Sequence, residues 1–148
     1  MTQSLRMVDS SLAHASEQLR IIESSAVPAF DDALAGSDLH PLTSTGIDTL
    51  QVNLGKLCNQ TCKHCHVDAG PDRREIMTRQ TMSECLAALD RDPGITTVDL
   101  TGGAPEMNPD FRWFVAQISA RERRVIVRSN PTKLATRKFS DTPEFLRD

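Results

Sequence analysis

Residues 49–65 read TLQVNLGKLCNQTCKHC, a short β-rich run that leads directly into a loop with three cysteines. The run ends at Gly55, and its composition predicts a strand. Cys58, Cys62 and Cys65 are three of the four cysteines of the chain. Thiolates bind soft metals strongly, and this close spacing lets one short loop surround one metal centre. A strand followed by a metal loop is the order expected of a parallel α/β protein whose site lies at the carboxyl ends of its strands.

The composition is that of an ordinary globular protein. The chain has 148 residues, of which 39% are hydrophobic and 25% are charged, enough for one domain with a core. A net charge of −3 gives no basic footprint for nucleic acid. No apolar run has membrane-spanning length, and the N-terminus lacks the pattern of a secretory signal. We therefore expect a cytoplasmic protein without nucleic-acid or membrane partners, in a compartment that keeps thiols reduced.

Three parts of the chain differ in composition. Residues 1–27 form a polar N-terminal extension, in which apolar spacing predicts a helix over Ser10–Ser24. Residues 28–48 form a lead-in segment that mixes apolar residues with Gly, Pro and Asp. Residues 49–148 form the core domain.

Strand and helix patterns alternate along the core domain, which predicts a parallel sheet with right-handed connections. Either Thr78 or Thr81 could cap the first helix, and Asn108 is the predicted cap of the second. Cys85 lies on the apolar face of the first helix, where a small buried hydrophobe is expected rather than a metal ligand. The predicted elements are the strands Thr49–Leu54, Ile95–Thr101 and Val125–Arg128, and the helices Thr78–Asp90, one from Asn108-Pro109, and Pro143–Arg147.

Two kinds of metal centre are compatible with the cysteine loop, residues 58–65. Three thiolates suit a cubane iron–sulfur cluster with one iron left open, because a complete cluster normally takes four protein thiolates. Alternatively, the three cysteines with His64 or His66 could form a structural Cys₃His zinc site in a non-enzymatic module. Structural zinc sites usually combine two separated ligand motifs. This chain has no second cysteine motif, so we favour the iron–sulfur cluster.

The spacing CxxxCxxC after a first strand resembles the signature of the radical S-adenosylmethionine (SAM) enzymes. The resemblance implies that Cys58, Cys62 and Cys65 hold a [4Fe-4S] cluster whose open iron is chelated by the amine and carboxylate of SAM. It implies an enzyme that cleaves SAM into methionine and a 5′-deoxyadenosyl radical, with an electron donor such as flavodoxin or ferredoxin. The expected fold is the N-terminal part of a partial (β/α)₆ TIM-like barrel, about three parallel strands with helices. His64 stands where these enzymes usually carry an aromatic residue near the adenine.

Two further motifs complete the implied SAM pocket. In VDLTGGAPE, residues 98–106, Gly102 and Gly103 resemble a GGE-type motif whose backbone binds the amine of SAM. Ala104 stands where Glu is common, and Glu106 follows two positions later. Asn130, after the third predicted strand, resembles a TNG motif of the same enzymes. The resemblance therefore assigns these two glycines, Ala104 and Asn130 to cofactor binding, together with the histidine of the cysteine loop.

A narrower resemblance extends over about residues 30–145. The stretches TLQVNLGKLCNQTCKHCHVDAGPDR, VDLTGGAPEMNPDFRWF and VRSN are similar to the radical SAM protein of arsenosugar biosynthesis. This implies a small-molecule substrate, a dimethylated trivalent arsenical that receives the 5′-deoxyadenosyl group. That family continues through further barrel strands, whereas this chain stops where the third helix is expected. We therefore expect a truncated core domain, which is either active or an inactive remnant.

Overall fold

The computed structural model describes residues 15–38, 40–63 and 65–147. These residues fall into two compact units, 15–46 and 47–147. The first unit holds α1 (Ala15–Glu23) and α2 (Phe30–Leu34). α1 occupies most of the helix predicted over residues 10–24, whose first five residues lie outside the described part of the chain. None of the helices in the described residues is long and apolar enough to cross a bilayer.

The second unit is built on a three-stranded parallel sheet in the order β1-β2-β3. Thr49 pairs with Thr97, and Thr97 in turn pairs with Arg124. This confirms the predicted α/β class with parallel strands and helices between them. The elements are β1 (Thr49–Asn53), α3 (Arg79–Arg91), β2 (Thr97–Thr101), a 3₁₀ turn (Pro105–Met107), α4 (Phe111–Ser119), β3 (Arg124–Val127), α5 (Pro131–Leu134) and α6 (Thr142–Phe145).

One face of the sheet forms the core with α3 and α4. Alternate residues of a strand point to the same face, so Val52, Val98 and Leu100 share the apolar side. Burying each large apolar side chain contributes roughly 1.5–3 kcal/mol. The helices supply the other buried side chains of this core: Met82, Leu86, Leu89, Phe111, Phe114, Val115 and Ile118.

Thr78 is the residue that caps α3. Its backbone is extended, and its hydroxyl accepts a hydrogen bond from the backbone N–H of Thr81 at 3.3 Å. Thr81 itself lies within the first helical turn, so of the two predicted caps only Thr78 has the geometry to fill the position.

The prediction that Asn108 caps the second helix is wrong, because α4 begins at Phe111 and Asp110 is its cap. The Asn108 side chain is buried and bridges separate segments instead. Its amide donates to the carbonyl oxygens of Leu54 and Met77 at 3.1 and 3.0 Å. Its own side-chain oxygen accepts from the Asp110 N–H at 2.9 Å. Three hydrogen bonds at a buried position stabilise the fold more than a single exposed helix cap would.

Replacing Asn108 by Ala should lower the free energy of unfolding by about 1–3 kcal/mol. The Met77 carbonyl loses its side-chain donor, and the buried Leu54 carbonyl keeps only the donor it has in the Met77 N–H. Urea denaturation measures this change. Gln80→Ala, on the exposed first turn of α3, is the control and should stay within about 0.5 kcal/mol of the parent. Equal stability of the two variants would contradict this reading of Asn108.

Candidate functional site

The cysteine loop leaves the sheet through residues 54–58, called here the loop stem. The stem continues the pairing of β1 with β2 beyond the end of both strands. Gly103 N–H donates to the Gly55 carbonyl at 2.9 Å, and Ala104 N–H donates to the Leu57 carbonyl at 3.0 Å. The predicted second motif therefore lies directly beside the stem, one strand over, as its position after β2 suggested.

The opposite edge of the loop stem is paired with residues 70–77, called here the return segment. Lys56 N–H donates to the Glu75 carbonyl at 2.8 Å, and Cys58 N–H donates to the Gly70 carbonyl at 3.1 Å. Backbone hydrogen bonds on both edges leave the stem little freedom to move. The first cysteine of the loop is consequently held in a fixed position.

The two glycines after β2 are required by the loop stem. A Cβ on Gly103 would lie 2.5 Å from the Leu57 carbonyl oxygen and 3.0 Å from the Cβ of Cys58. Gly102 has a φ of +139°, and a Cβ there would lie 2.6 Å from the Gly55 carbonyl oxygen. Within the described residues, the carbonyl oxygens of both glycines accept no hydrogen bond. Their predicted role in binding SAM stays a prediction, with these two acceptors available for it.

Two of the three loop cysteines belong to one small apolar cluster. Cys58 is buried with Ala69 and Ala104 in a small apolar cluster, and Cys65 packs against that cluster. The Cys65 sulfur accepts the Ala69 N–H at 3.3 Å. Cys62 is exposed, and all of these thiols are free. Two of the proposed ligands are therefore anchored, while the third lies on the outer side of the loop.

Neither predicted metal centre is assembled from the described side chains, because no three His, Cys, Asp or Glu residues among them are placed to hold a metal ion. His64 lies outside the described residues, and His66 is exposed. The donor set nevertheless suits an iron–sulfur cluster. The sulfurs of Cys58 and Cys65 each accept an N–H hydrogen bond, and hydrogen bonds to ligand sulfurs are a common feature of iron–sulfur sites.

Cys85 is a residue of α3 and packs against the main core, not against the cluster of the cysteine loop. Burial raises the pKa of its thiol, and the nearby Glu84 carboxylate raises it further. A thiol with a raised pKa stays protonated and is a poor metal ligand. Cys85 packs on the core as predicted, but it is half-buried and not the buried residue that was expected.

Asn130 connects the end of β3 to the cysteine loop. Its side-chain Nδ2 donates to the Cys58 sulfur at 3.3 Å and to Asn59 Oδ1 at 2.9 Å. Its Oδ1 accepts from the backbone N–H and the hydroxyl of Thr132 at 3.2 and 2.8 Å. Its backbone N–H donates to Glu106 Oε1 at 3.3 Å. One residue thus ties together the segments that follow all three strands.

The second face of the sheet carries a charged pair that the sequence analysis did not single out. Asp99, 5% exposed, receives hydrogen bonds from Arg128 Nη2 at 2.7 Å and from Gln51 Nε2 at 3.0 Å. The hydrogen bond from Arg128, with support from Gln51, lowers the pKa of the Asp99 carboxyl. The same pair raises the pKa of the Arg128 guanidinium. The pair therefore stays ionised at neutral pH.

A cavity of about 420 Å³ lies over this polar face, near the carboxyl ends of the strands. The sequence indicates this polar face, because polar residues alternate with apolar ones in the strands TLQVN and VDLT. Strands covered by helices on both faces would be apolar throughout. The residues that line the cavity are Gln51, Asn53, His66, Val67, Thr101 and Arg128.

A family model described as the radical SAM superfamily matches residues 52–148 of this chain. The match covers the end of β1, the cysteine loop, the two glycines after β2 and Asn130. The crystal structure of BtrN in complex with AdoMet and 2-DOIA has a similar fold, with a TM-score of 0.54 at 19% sequence identity. That likeness covers 70% of this chain and 44% of the BtrN chain.

Several curated relatives carry the name "Probable GTP 3′,8-cyclase". The protein from Sulfolobus acidocaldarius is 29% identical over 72 residues, which is 49% of this chain and 23% of the relative. The protein from Pyrococcus horikoshii is 32% identical over 65 residues, which is 44% of this chain and 21% of the relative. The matched region therefore spans less than a quarter of the length of these relatives.

We predict that Gly103→Ala displaces the loop stem, because the added methyl group would meet a backbone carbonyl only 2.5 Å away. Both the free energy of unfolding and the iron retained after reconstitution should fall. Gly36→Ala is the control, since a Cβ at Gly36 would have no neighbour within 4 Å. Full iron retention by Gly103→Ala would contradict the proposed contact.

Asp99→Asn should destabilise the chain at pH 7, because the lowered pKa of Asp99 means that its ionised form is favoured by folding. That contribution is present above the unfolded pKa of about 3.9 and is lost as the pH falls through the folded value. The difference between parent and variant should therefore shrink below about pH 3.9. Urea denaturation from pH 7 downward measures it, with Asp141→Asn, in an exposed ion pair, as the control. A difference independent of pH would contradict this account.

Proposed function

The chain belongs to the radical SAM superfamily, and from that premise we propose that it binds a [4Fe-4S] cluster and cleaves SAM reductively. The observation that carries the proposal is the fixed loop stem, which holds the buried Cys58 beside the glycines that follow β2. The proposed ligand Cys58 and the proposed SAM acceptors therefore lie side by side at the carboxyl end of one sheet. This is where parallel α/β proteins place their sites.

Cys58, Cys62 and Cys65 are the proposed iron ligands. The bound cluster would supply the electron that breaks a carbon–sulfur bond of SAM. Cys58 lies among Ala69 and Ala104, whose small apolar side chains keep water from its sulfur. The thiol of Cys62 is exposed and has to turn inward to join the other two.

The carbonyl oxygens of Gly102 and Gly103 are the proposed acceptors for the ammonium group of SAM. Within the described residues, no backbone N–H donates to either oxygen, so both oxygens can accept a hydrogen bond from a ligand. Ala104 contributes packing beneath the site, and its N–H is already used by Leu57. His64 is proposed to lie near the adenine, on the family resemblance alone.

The substrate proposed for this protein is a dimethylated trivalent arsenical, which would accept the 5′-deoxyadenosyl group. The support is the resemblance of residues 30–145 to the arsenosugar-biosynthesis protein. A flavodoxin or ferredoxin in the cytoplasm is the proposed electron donor. GTP is a second candidate substrate, because the curated relatives that match this chain are named as GTP cyclases.

Anaerobic reconstitution with iron and sulfide should give an EPR-active cluster whose spectrum changes when SAM is added. Cys58→Ala, Cys62→Ala and Cys65→Ala should each lose the cluster, because three thiolates are the minimum that the open-iron arrangement uses. Cys85→Ala is the matched control and should retain full iron content. One equivalent of zinc without acid-labile sulfide would favour the Cys₃His alternative instead.

The same reconstituted chain is then assayed with dithionite as reductant and SAM alone, SAM with dimethylarsinous acid, or SAM with GTP. Formation of 5′-deoxyadenosine with SAM alone supports the proposed cleavage. An adenosylated arsenical would establish the proposed substrate, whereas a GTP-derived product would replace it. A chain that holds the cluster but consumes no SAM would contradict the proposed activity.

A further inference from the structure

We propose that Asn130 is a positioning residue for the iron–sulfur cluster and not a ligand of SAM. It holds the Cys58 sulfur through a side-chain N–H and thereby raises the reduction potential of the cluster. The inference rests on the proposed function, since it presupposes that Cys58 binds iron. It departs from the family resemblance, which assigned Asn130 to the SAM pocket.

The orientation of the Asn130 amide is determined by its neighbours. Oxygen and nitrogen of an amide are distinguished only through the hydrogen bonds they make. The backbone N–H of Thr132 can only donate, so the atom 3.2 Å from it must be the Asn130 oxygen. The NH₂ group therefore faces Cys58, where Nδ2 lies 3.3 Å from the sulfur.

The hydrogen-bonding capacity of the Asn130 side chain is fully used by the protein. An amide offers two N–H donors and two acceptor lone pairs. The donors go to Cys58 and Asn59. Both lone pairs accept from Thr132, one from its backbone and one from its hydroxyl. Nothing is left with which this side chain could recognise SAM.

The position of Asn130 is also fixed from the 3₁₀ turn that follows β2. Its backbone N–H donates to Oε1 of Glu106, a residue of that turn that is 4% exposed. Asn130 also caps α5 through its contact with Thr132. A donor fixed at both backbone and side chain can hold a ligand sulfur in one place. Partners of this kind typically change metal affinity by 10–100-fold when they are removed.

The N–H donor changes the reduction potential because it interacts with the charge of the cluster. Reduction adds one negative charge to the cluster, and part of that charge lies on the sulfurs. An N–H donor at a sulfur stabilises the reduced form more than the oxidised form, so the potential rises. Losing the donor should therefore make the cluster harder to reduce.

Asn130→Ala is the direct test of the donor, because it removes the N–H without adding charge. Asn130→Asp is a second variant, which can still cap α5 and accept from Thr132 but cannot donate to sulfur and adds a negative charge beside the cluster. In an EPR-monitored redox titration without SAM, Asn130→Asp should shift at least as far as Asn130→Ala, which should shift the reduction equilibrium by about tenfold toward the oxidised form. For a one-electron couple this is ~59 mV. Thr136→Val, at an exposed position whose hydroxyl donates to the Lys133 carbonyl, is the control and should keep the parent potential.

Two further measurements separate the possible failures. The Kd for SAM should be the same in the reconstituted parent and in Asn130→Ala. A loss of SAM affinity at an unchanged potential would overturn the inference and return Asn130 to the SAM pocket. In the metal-free chain, the Asn130 side chain helps to cover the buried Cys58 sulfur, so iodoacetamide should reach and alkylate Cys58 faster in Asn130→Ala than in the parent. Peptide mass spectrometry measures the rate, and Cys62 should be unaffected. Equal rates at Cys58 would overturn the contact itself. If the parent assembles no cluster while Cys58 still responds to Asn130, the proposed function fails and the positioning of Cys58 by Asn130 stands.

Discussion

The backbone pairing of the loop stem on both of its edges is the constraint on which the site depends. A loop of three cysteines attached to the end of a strand would otherwise be free to move. Here residues 54–58 are hydrogen-bonded to the segment after β2 on one side and to the return segment on the other. This pairing is possible only because Gly102 and Gly103 have no side chain to meet the stem.

That constraint places three strand ends in contact with each other. Cys58 follows β1, Ala104 follows β2 and Asn130 follows β3. Ala104 and Asn130 both contact Cys58, whose side chain is buried between them. Glu106 adds a buried carboxylate that fixes the backbone of Asn130. A site assembled from adjacent parallel strands needs no long-range rearrangement, because the order of the sheet already brings its parts together. Cys62 is the member of the predicted ligand set that lies exposed to solvent.

The two faces of the sheet differ in character: one packs on the helices, and the other carries polar and charged side chains. The apolar face packs on α3 and α4 and provides the burial that stabilises the unit. The other face carries Asp99, Arg128 and Gln51 beside a cavity that opens near the cysteine loop. A buried carboxylate with two donors is satisfied, and its pairing also fixes the guanidinium of Arg128 at the edge of the cavity. Such a face suits a polar ligand held next to the proposed cluster.

The sequence by itself determined the parallel α/β order, because hydrophobic periodicity and turn residues are local properties of the chain. It also identified Cys85 as a packing residue from its place on an apolar helical face, and the three-cysteine loop from its spacing. It could not determine the role of Asn108, since the carbonyl groups that this side chain satisfies belong to residues 54 and 77. The contacts of Asn130 and the pairing of Asp99 with Arg128 were decided only by the tertiary structure. Each joins segments far apart in the chain, and only the order and register of the strands bring such partners within hydrogen-bonding distance.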